Sequence, residues 1–238
     1  MERFSHELEK LRGTILRPVI LFFIVSLALL FVGTPTLATR IFLSAKSFLV
    51  PNSVLLVALG PVSVFMAPVV LAFLVSLLIT FPYILYSIEK YLRPALYPKE
   101  RKVIYKFVLP SLILFYLGSA FGYFLIIPLT FSILYSFAGP IGVTPFFSLD
   151  SFISSVFLLT VSVGVIFLLP VIMILLTKLS IIPREWWLKH WRGAILASVI
   201  FSAVITPDGS GVTMVFLFIP LVLLYGIGTV LSKNRRAY

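Results

Sequence analysis

Carboxylates are scarce in this chain, eight in 238 residues, and two of them stand in one segment crowded with cations and tyrosines. The stretch YSIEKYLRPALYPKERK, residues 86–102, holds Glu89 and Glu100 among Lys90, Arg93, Lys99, Arg101 and Lys102. A carboxylate in such a segment can accept charge-assisted hydrogen bonds from a cationic ligand. Without a ligand, the same cations are the solvated face of a loop beside a membrane. Other chemistries lack their parts. There is no cysteine, so thiolate nucleophiles, disulfides and cysteine-ligated metals are excluded. His6 and His190 stand far apart, with no HExxH or acid-rich motif beside them, and no metal site is expected. Serines recur inside apolar stretches without a basic or imidazole partner at the same depth, so their expected role is helix packing. The expectation is a chain that is not an enzyme and holds no cofactor.

The elements that must position these groups are membrane helices. The chain is 61% hydrophobic and 11% charged, where a soluble protein carries roughly 45–50% apolar and about 25% charged residues. Lipid is the solvent that accepts so much apolar surface. Apolar runs predict six spans, at Ile15–Gly33, Val62–Tyr86, Phe107–Phe137, Phe152–Thr177, Gly193–Thr206 and Val212–Leu231, forming one membrane domain over residues 1–238. The first run is too long for a signal-peptide core, and no small-x-small cleavage site follows Gly33, so it is read as a retained span. Between the first two spans in sequence, Leu37, Ile41, Ala45 and Phe48 recur at helical spacing, predicting a short amphipathic helix that lies on the membrane interface. The fifth span reaches only ~21 Å and the third ~46 Å, against a hydrocarbon core of ~30 Å. Long spans must tilt or kink, with Pro68, Pro128 and Pro170 the expected places. The short fifth span, with Thr206 at its end, is expected to contact a partner helix that relieves the mismatch.

Basic residues fix the orientation. Seventeen of the nineteen Lys and Arg residues flank spans on the side that holds both termini; only Arg40 and Lys46 lie opposite. Both termini are therefore expected in the cytoplasm. The net charge of +11 reads as membrane orientation, not as nucleic-acid binding. No acid lies deep in a span: Glu89 and Glu100 fall with the cytoplasmic group, Asp150 and Asp208 outside. Ion-coupled carriers usually need an ionisable group within the membrane. A small-solute transporter or channel remains as the alternative class, though neither a buried polar site nor an internal repeat is visible.

The segment FPYILYSIEKYLRPALYPKERK, residues 81–102, resembles the end of the second span and the first cytoplasmic loop of the TatC family, the receptor of the twin-arginine protein translocase. Further pieces agree in order: FYLGSAFGYFLIIPLTF at 115–131, SLDSFIS at 148–154, TPD at 206–208 and IPLVLLYGI at 219–227. The resemblance implies an all-α concave bundle of six helices, with the fifth and sixth short, in the cell membrane. It implies recognition of the twin-arginine motif in signal peptides of folded cargo, through one Glu in the N-terminal segment and one in the first loop. It also implies nucleation of an export complex, with TatA/TatB-type single-span subunits as partners and several copies of the chain itself.

Carried over residue by residue, Glu100 is the loop carboxylate, flanked by Lys99 and Arg101, and Tyr91 takes the place of an aromatic near it. The family's H-L-x-E-L-R is matched by His6, Glu9, Leu11 and Arg12 with one residue inserted. Glu9 is therefore the N-terminal candidate and Glu7 its alternative, and a merely solvated helix face stays open for both. Thr206, Tyr123 and Asp208 are the candidate contacts for partner subunits. A guanidinium is a planar fork of donors that a carboxylate accepts bidentately, so paired carboxylates suit a pair of arginines. The chain departs from the family where Phe167-Leu168-Leu169-Pro170 replaces Phe-Glu-x-Pro, and where Val212 stands near the position of a common Gln.

Overall fold

A helix satisfies its own backbone N–H and C=O groups, which is what a low-dielectric solvent demands. The computed structural model describes residues 2–31, 37–50, 55–92, 98–136, 146–206 and 211–232. In it α1 spans Glu2–Phe31, α2 Leu37–Leu49, α3 Pro61–Leu92, α4 Pro98–Phe121 and α5 Ile127–Ser136. There follow α6 Leu149–Ile166, α7 Leu169–Lys178, α8 Arg184–Lys189, α9 Trp191–Ile205 and α10 Gly211–Leu231. Among the described residues, four stretches are long and apolar enough to cross a membrane: Pro61–Leu92, Val103–Ile133, Leu149–Lys178 and Thr213–Leu231. The apolar helices Leu16–Phe31 and Trp191–Ile205 are shorter.

Three expectations need amendment. Of the two final helices expected to be short, α9 has 15 residues. However, α10 has 21, enough for ~31 Å, because its sequence is uninterrupted by polar residues from Met214 to Leu224. The chain is not wholly α-helical: Leu55–Val57 (β1) pairs in parallel with Phe146–Ser148 (β2), Leu55 opposite Phe146 and Val57 opposite Ser148. Two connecting segments thereby satisfy backbone groups that no helix serves. Third, α3 runs unbroken through Pro68 and Pro82. At the other expected kink sites the α-helix does give way, to a π-helical turn at Gly122–Ile126 before Pro128 and to a turn at Phe167 and Leu168 before Pro170. A proline cannot donate to the carbonyl four residues earlier, here that of Phe124 or Ile166, so the helix must rearrange or absorb the defect.

Packing falls into two compact units, Met1–Arg101 with Pro145–Phe157, and Lys102–Thr144 with Leu158–Tyr238. In the first, α1 packs along α3, and Phe22 and Phe23 both meet Phe73, with ring centroids 5.5 and 6.3 Å apart. The amphipathic helix α2 also packs on α3. Ala38, Ala45 and Leu49 are buried, while Leu37 and Phe48 are exposed. Small alanines let the backbones approach, and the large apolar side chains turn outward. At the start of α6, Ser148 Oγ accepts the Ser151 backbone N–H at 3.2 Å, an N-terminal cap. The Ser63 hydroxyl donates to the Asp150 carboxylate.

In the second unit α10 packs against α7 and α9. Close approach elsewhere in that unit depends on glycine. A Cβ on Gly118 would stand 2.6 Å from Phe167 Cγ, and one on Gly164 would collide with Ser119 Oγ. Hydroxyls in these helices mostly turn back on their own backbone, Ser111 to the Phe107 carbonyl at 2.7 Å and Thr130 to that of Ile126 at 2.8 Å. This is how a serine or threonine is accommodated at membrane depth.

Candidate functional site

Glu100 is the third residue of α4, whose first residue is Pro98. Proline is well suited to that first position because its ring presets the helical φ and the missing N–H would have had no partner. The first turn of a helix carries partial positive charge, a favourable place for a carboxylate. Tyr91 lies in the last turn of α3 and is 47% exposed, and Arg101 is exposed at the start of α4. Glu9 lies about two turns into α1. The side chains of Glu7, Glu9, Lys99 and Glu100 fall outside the described residues, and so does Asp208 altogether. All five residues expected to serve the signal peptide, Glu9, Tyr91, Lys99, Glu100 and Arg101, belong to the first unit. Thr206 and Tyr123, expected to serve partner subunits, belong to the second.

Beside Tyr91 the structure holds two features that sequence reasoning missed. Glu89, grouped with the cytoplasmic acids on sequence, is 3% exposed and makes interactions there. Glu89 lies eighteen residues after buried Leu71, five full turns on at 3.6 residues per turn, so it continues the buried stripe of α3, and the spacing becomes a signal only once packing has shown which stripe is buried. The second feature is a wholly apolar cavity of about 340 Å³ between α1 and α3, lined by Pro18, Val19, Phe22, Leu77, Ile84 and Ile88. Ile84, Ile88 and Tyr91 recur at i, i+4 and i+7, so the cavity and the exposed tyrosine share one face of α3.

On the second unit, Thr206 is buried, and its hydroxyl donates to the Ser202 carbonyl at 2.6 Å. Ser202 donates to the Ser198 carbonyl at 2.7 Å and Ser198 to that of Ala194 at 2.8 Å. A polar ladder thus runs down one face of α9. The surface that α9 leaves uncovered is apolar: Leu196, Ile200, Phe201 and Val204 are exposed. Tyr123 sits in the π-helical turn, half-buried, with its ring edge-on to Phe124 at 5.0 Å. Leu168, where the resembling family commonly has Glu, precedes α7, and its carbonyl accepts the Ile172 N–H at 3.0 Å.

Known proteins resemble the chain over most of its length. The family model described as Sec-independent protein translocase protein (TatC) matches residues 6–220. A Sec-independent protein translocase protein TatC of Cenarchaeum symbiosum (strain A) is 35% identical over 190 residues, covering 80% of this chain and 72% of that protein. Its counterpart in Aquifex aeolicus (strain VF5) is 33% identical over 179 residues, 75% of this chain and 74% of the relative. A crystal structure of a twin arginine translocase receptor TatC superposes with a TM-score of 0.81 at 31% identity, over 95% of this chain and 98% of that one.

Proposed function

The chain belongs to the TatC family, a non-enzymatic receptor family, and is a translocase component of the twin-arginine system; from that premise we propose that it binds twin-arginine signal peptides on the cytoplasmic face of the cell membrane and nucleates the export complex. The observation that carries the reading is Glu100, which completes the Pro-Ala-Leu-Tyr-x-x-Glu element at residues 94–100 and opens α4. Glu100 receives one arginine of the motif and Glu9 the other, with Lys99, Arg101 and Tyr91 shaping the approach. A charge-assisted hydrogen bond contributes about 1.5–3 kcal/mol, roughly ten- to more than a hundredfold in affinity. The apolar cavity between α1 and α3 offers room for hydrophobic side chains that follow the arginines.

The chain forms one membrane domain of six spans with both termini in the cytoplasm, an arrangement supported by the basic residues and by the two shorter apolar helices that accompany the four long ones. Single-span subunits of the TatA/TatB type dock on the second unit, through the uncovered apolar face of α9 and around Tyr123, Thr206 and Asp208. Further copies of the chain join the complex. A photocrosslinker at Tyr91 in membrane vesicles tests the assignment of the binding face. It should capture a precursor bearing two arginines and miss the same precursor bearing two lysines, since an ammonium cannot fill a bidentate site. Equal capture of both would overturn the reading.

A further inference from the structure

All three tryptophans of the chain, Trp186, Trp187 and Trp191, fall within six residues, in and beside the short helix α8 that links the apolar helices α7 and α9. They divide into two roles. Trp187 turns inward: its Nε1 donates to Thr177 Oγ1 at 3.1 Å, and its carbonyl accepts the Tyr225 hydroxyl at 2.6 Å. Arg184 Nε adds a bond to the Thr229 carbonyl at 3.3 Å. These contacts fix α8 on the ends of α7 and α10. Trp186 and Trp191 turn outward, 43% and 50% exposed. Trp186 stacks on the His190 ring at 4.3 Å, and the Arg192 guanidinium lies 5.5 Å from the Trp191 ring. Among the described residues neither outward indole N–H has a hydrogen-bond partner.

The surroundings are both apolar and cationic. Ile181 and Leu188 are exposed beside these rings. Residues 178–192 carry Lys178, Arg184, Lys189 and Arg192 against one acid, Glu185. Lys178 ends α7 and Trp191 begins α9, so wherever those helices enter the bilayer this segment lies at its surface. There an outward tryptophan places its ring against acyl chains and its N–H toward ester or phosphate oxygens, while cations neutralise anionic headgroups. Rigid rings, free indole donors and a fourfold excess of cations suit a phospholipid better than an acidic peptide, which would leave the exposed leucine and isoleucine in water.

We infer that residues 178–192 form a contact surface selective for anionic phospholipid. It goes beyond the translocase reading and uses none of the carboxylates assigned to the signal peptide. Because the tryptophans occur nowhere else, intrinsic tryptophan fluorescence of the full-length protein reports this segment alone. The protein is placed in vesicles of equimolar phosphatidylglycerol and phosphatidylcholine, with bromine quenchers on the acyl chains of one lipid or the other. Brominated phosphatidylglycerol should quench more than brominated phosphatidylcholine. Exposed Lys189 and Arg192 changed to glutamine, as the double variant K189Q/R192Q, should lower that preference about fivefold per cation removed. Raising the salt on the unaltered protein should erase it. Equal quenching by both lipids in the unaltered protein would overturn the inference. So would a preference that survives both high salt and K189Q/R192Q, or fluorescence that is indifferent to lipid and responds only to added signal peptide.

Discussion

Glu100, Glu9 and Lys99 are neighbours in function on sequence grounds but differ in what each should cost when removed. Glu9 has Glu7 two residues away to take its place, so Glu9→Ala should weaken precursor binding less than about tenfold, and the double change of Glu7 and Glu9 to alanine clearly more. Lys99→Ala should change affinity far less than loss of either carboxylate, because an ammonium offers no acceptor to a guanidinium and its part is confined to the approach. Titration of a labelled signal peptide against each variant separates these cases; equal losses in all would point to diffuse loop charge in place of paired carboxylates. At this scale the sequence was most informative about exposed groups and least about buried ones. Tyr91 is exposed, as a residue at the end of a span beside a charged loop is expected to be. Glu89 escaped because its burial depends on which stripe of α3 packs inward, and that register is fixed by α1 and α2, not by the local segment.

The elements show the same division. Helix positions followed from apolar run length, since a span must cover a fixed thickness. The interruptions near Pro128 and Pro170 followed from a missing donor. What the sequence concealed was the choice among competing faces. Apolar patterning marked α2 as an amphipathic helix on the membrane interface but not the face it turns to the protein; Ala38, Ala45 and Leu49 are buried, because in lipid the small residues win the helix contact and the large ones lose nothing by facing outward. Helix α9 extends that lesson. Thr206 was the natural place on α9 to look for a partner helix, but its side chain is buried at the end of the hydroxyl ladder. The proposed docking surface of α9 is therefore its exposed apolar face, with Thr206 at the end of the helix, and photocrosslinkers at Ile200 and Val204 should capture a single-span subunit. Capture of lipid alone at both positions would remove α9 from the interface.

For the molecule as a whole, charge asymmetry predicts orientation and the family predicts purpose. Cysteines introduced at Lys99 and Ala237 should react only with reagent on the cytoplasmic side, and one at Ser210 only from outside; reaction of Ser210→Cys from the cytoplasm would invert the topology. The paired strands β1 and β2 were not legible, because three-residue strands joining segments ninety residues apart leave no local pattern. The proposed role of the molecule turns on one carboxylate, Glu100, in the loop between two spans, so its removal should change binding without changing insertion or folding. The most direct measurement is the affinity of a twin-arginine precursor for the purified, detergent-solubilised protein and for Glu100→Ala and Glu100→Gln, at moderate salt to screen weak surface attraction. Both variants should remain folded and lose roughly ten- to more than a hundredfold in affinity, the glutamine nearly as much as the alanine because shape is kept and charge is lost. Affinity equal to that of the unaltered protein in both variants would contradict recognition through Glu100.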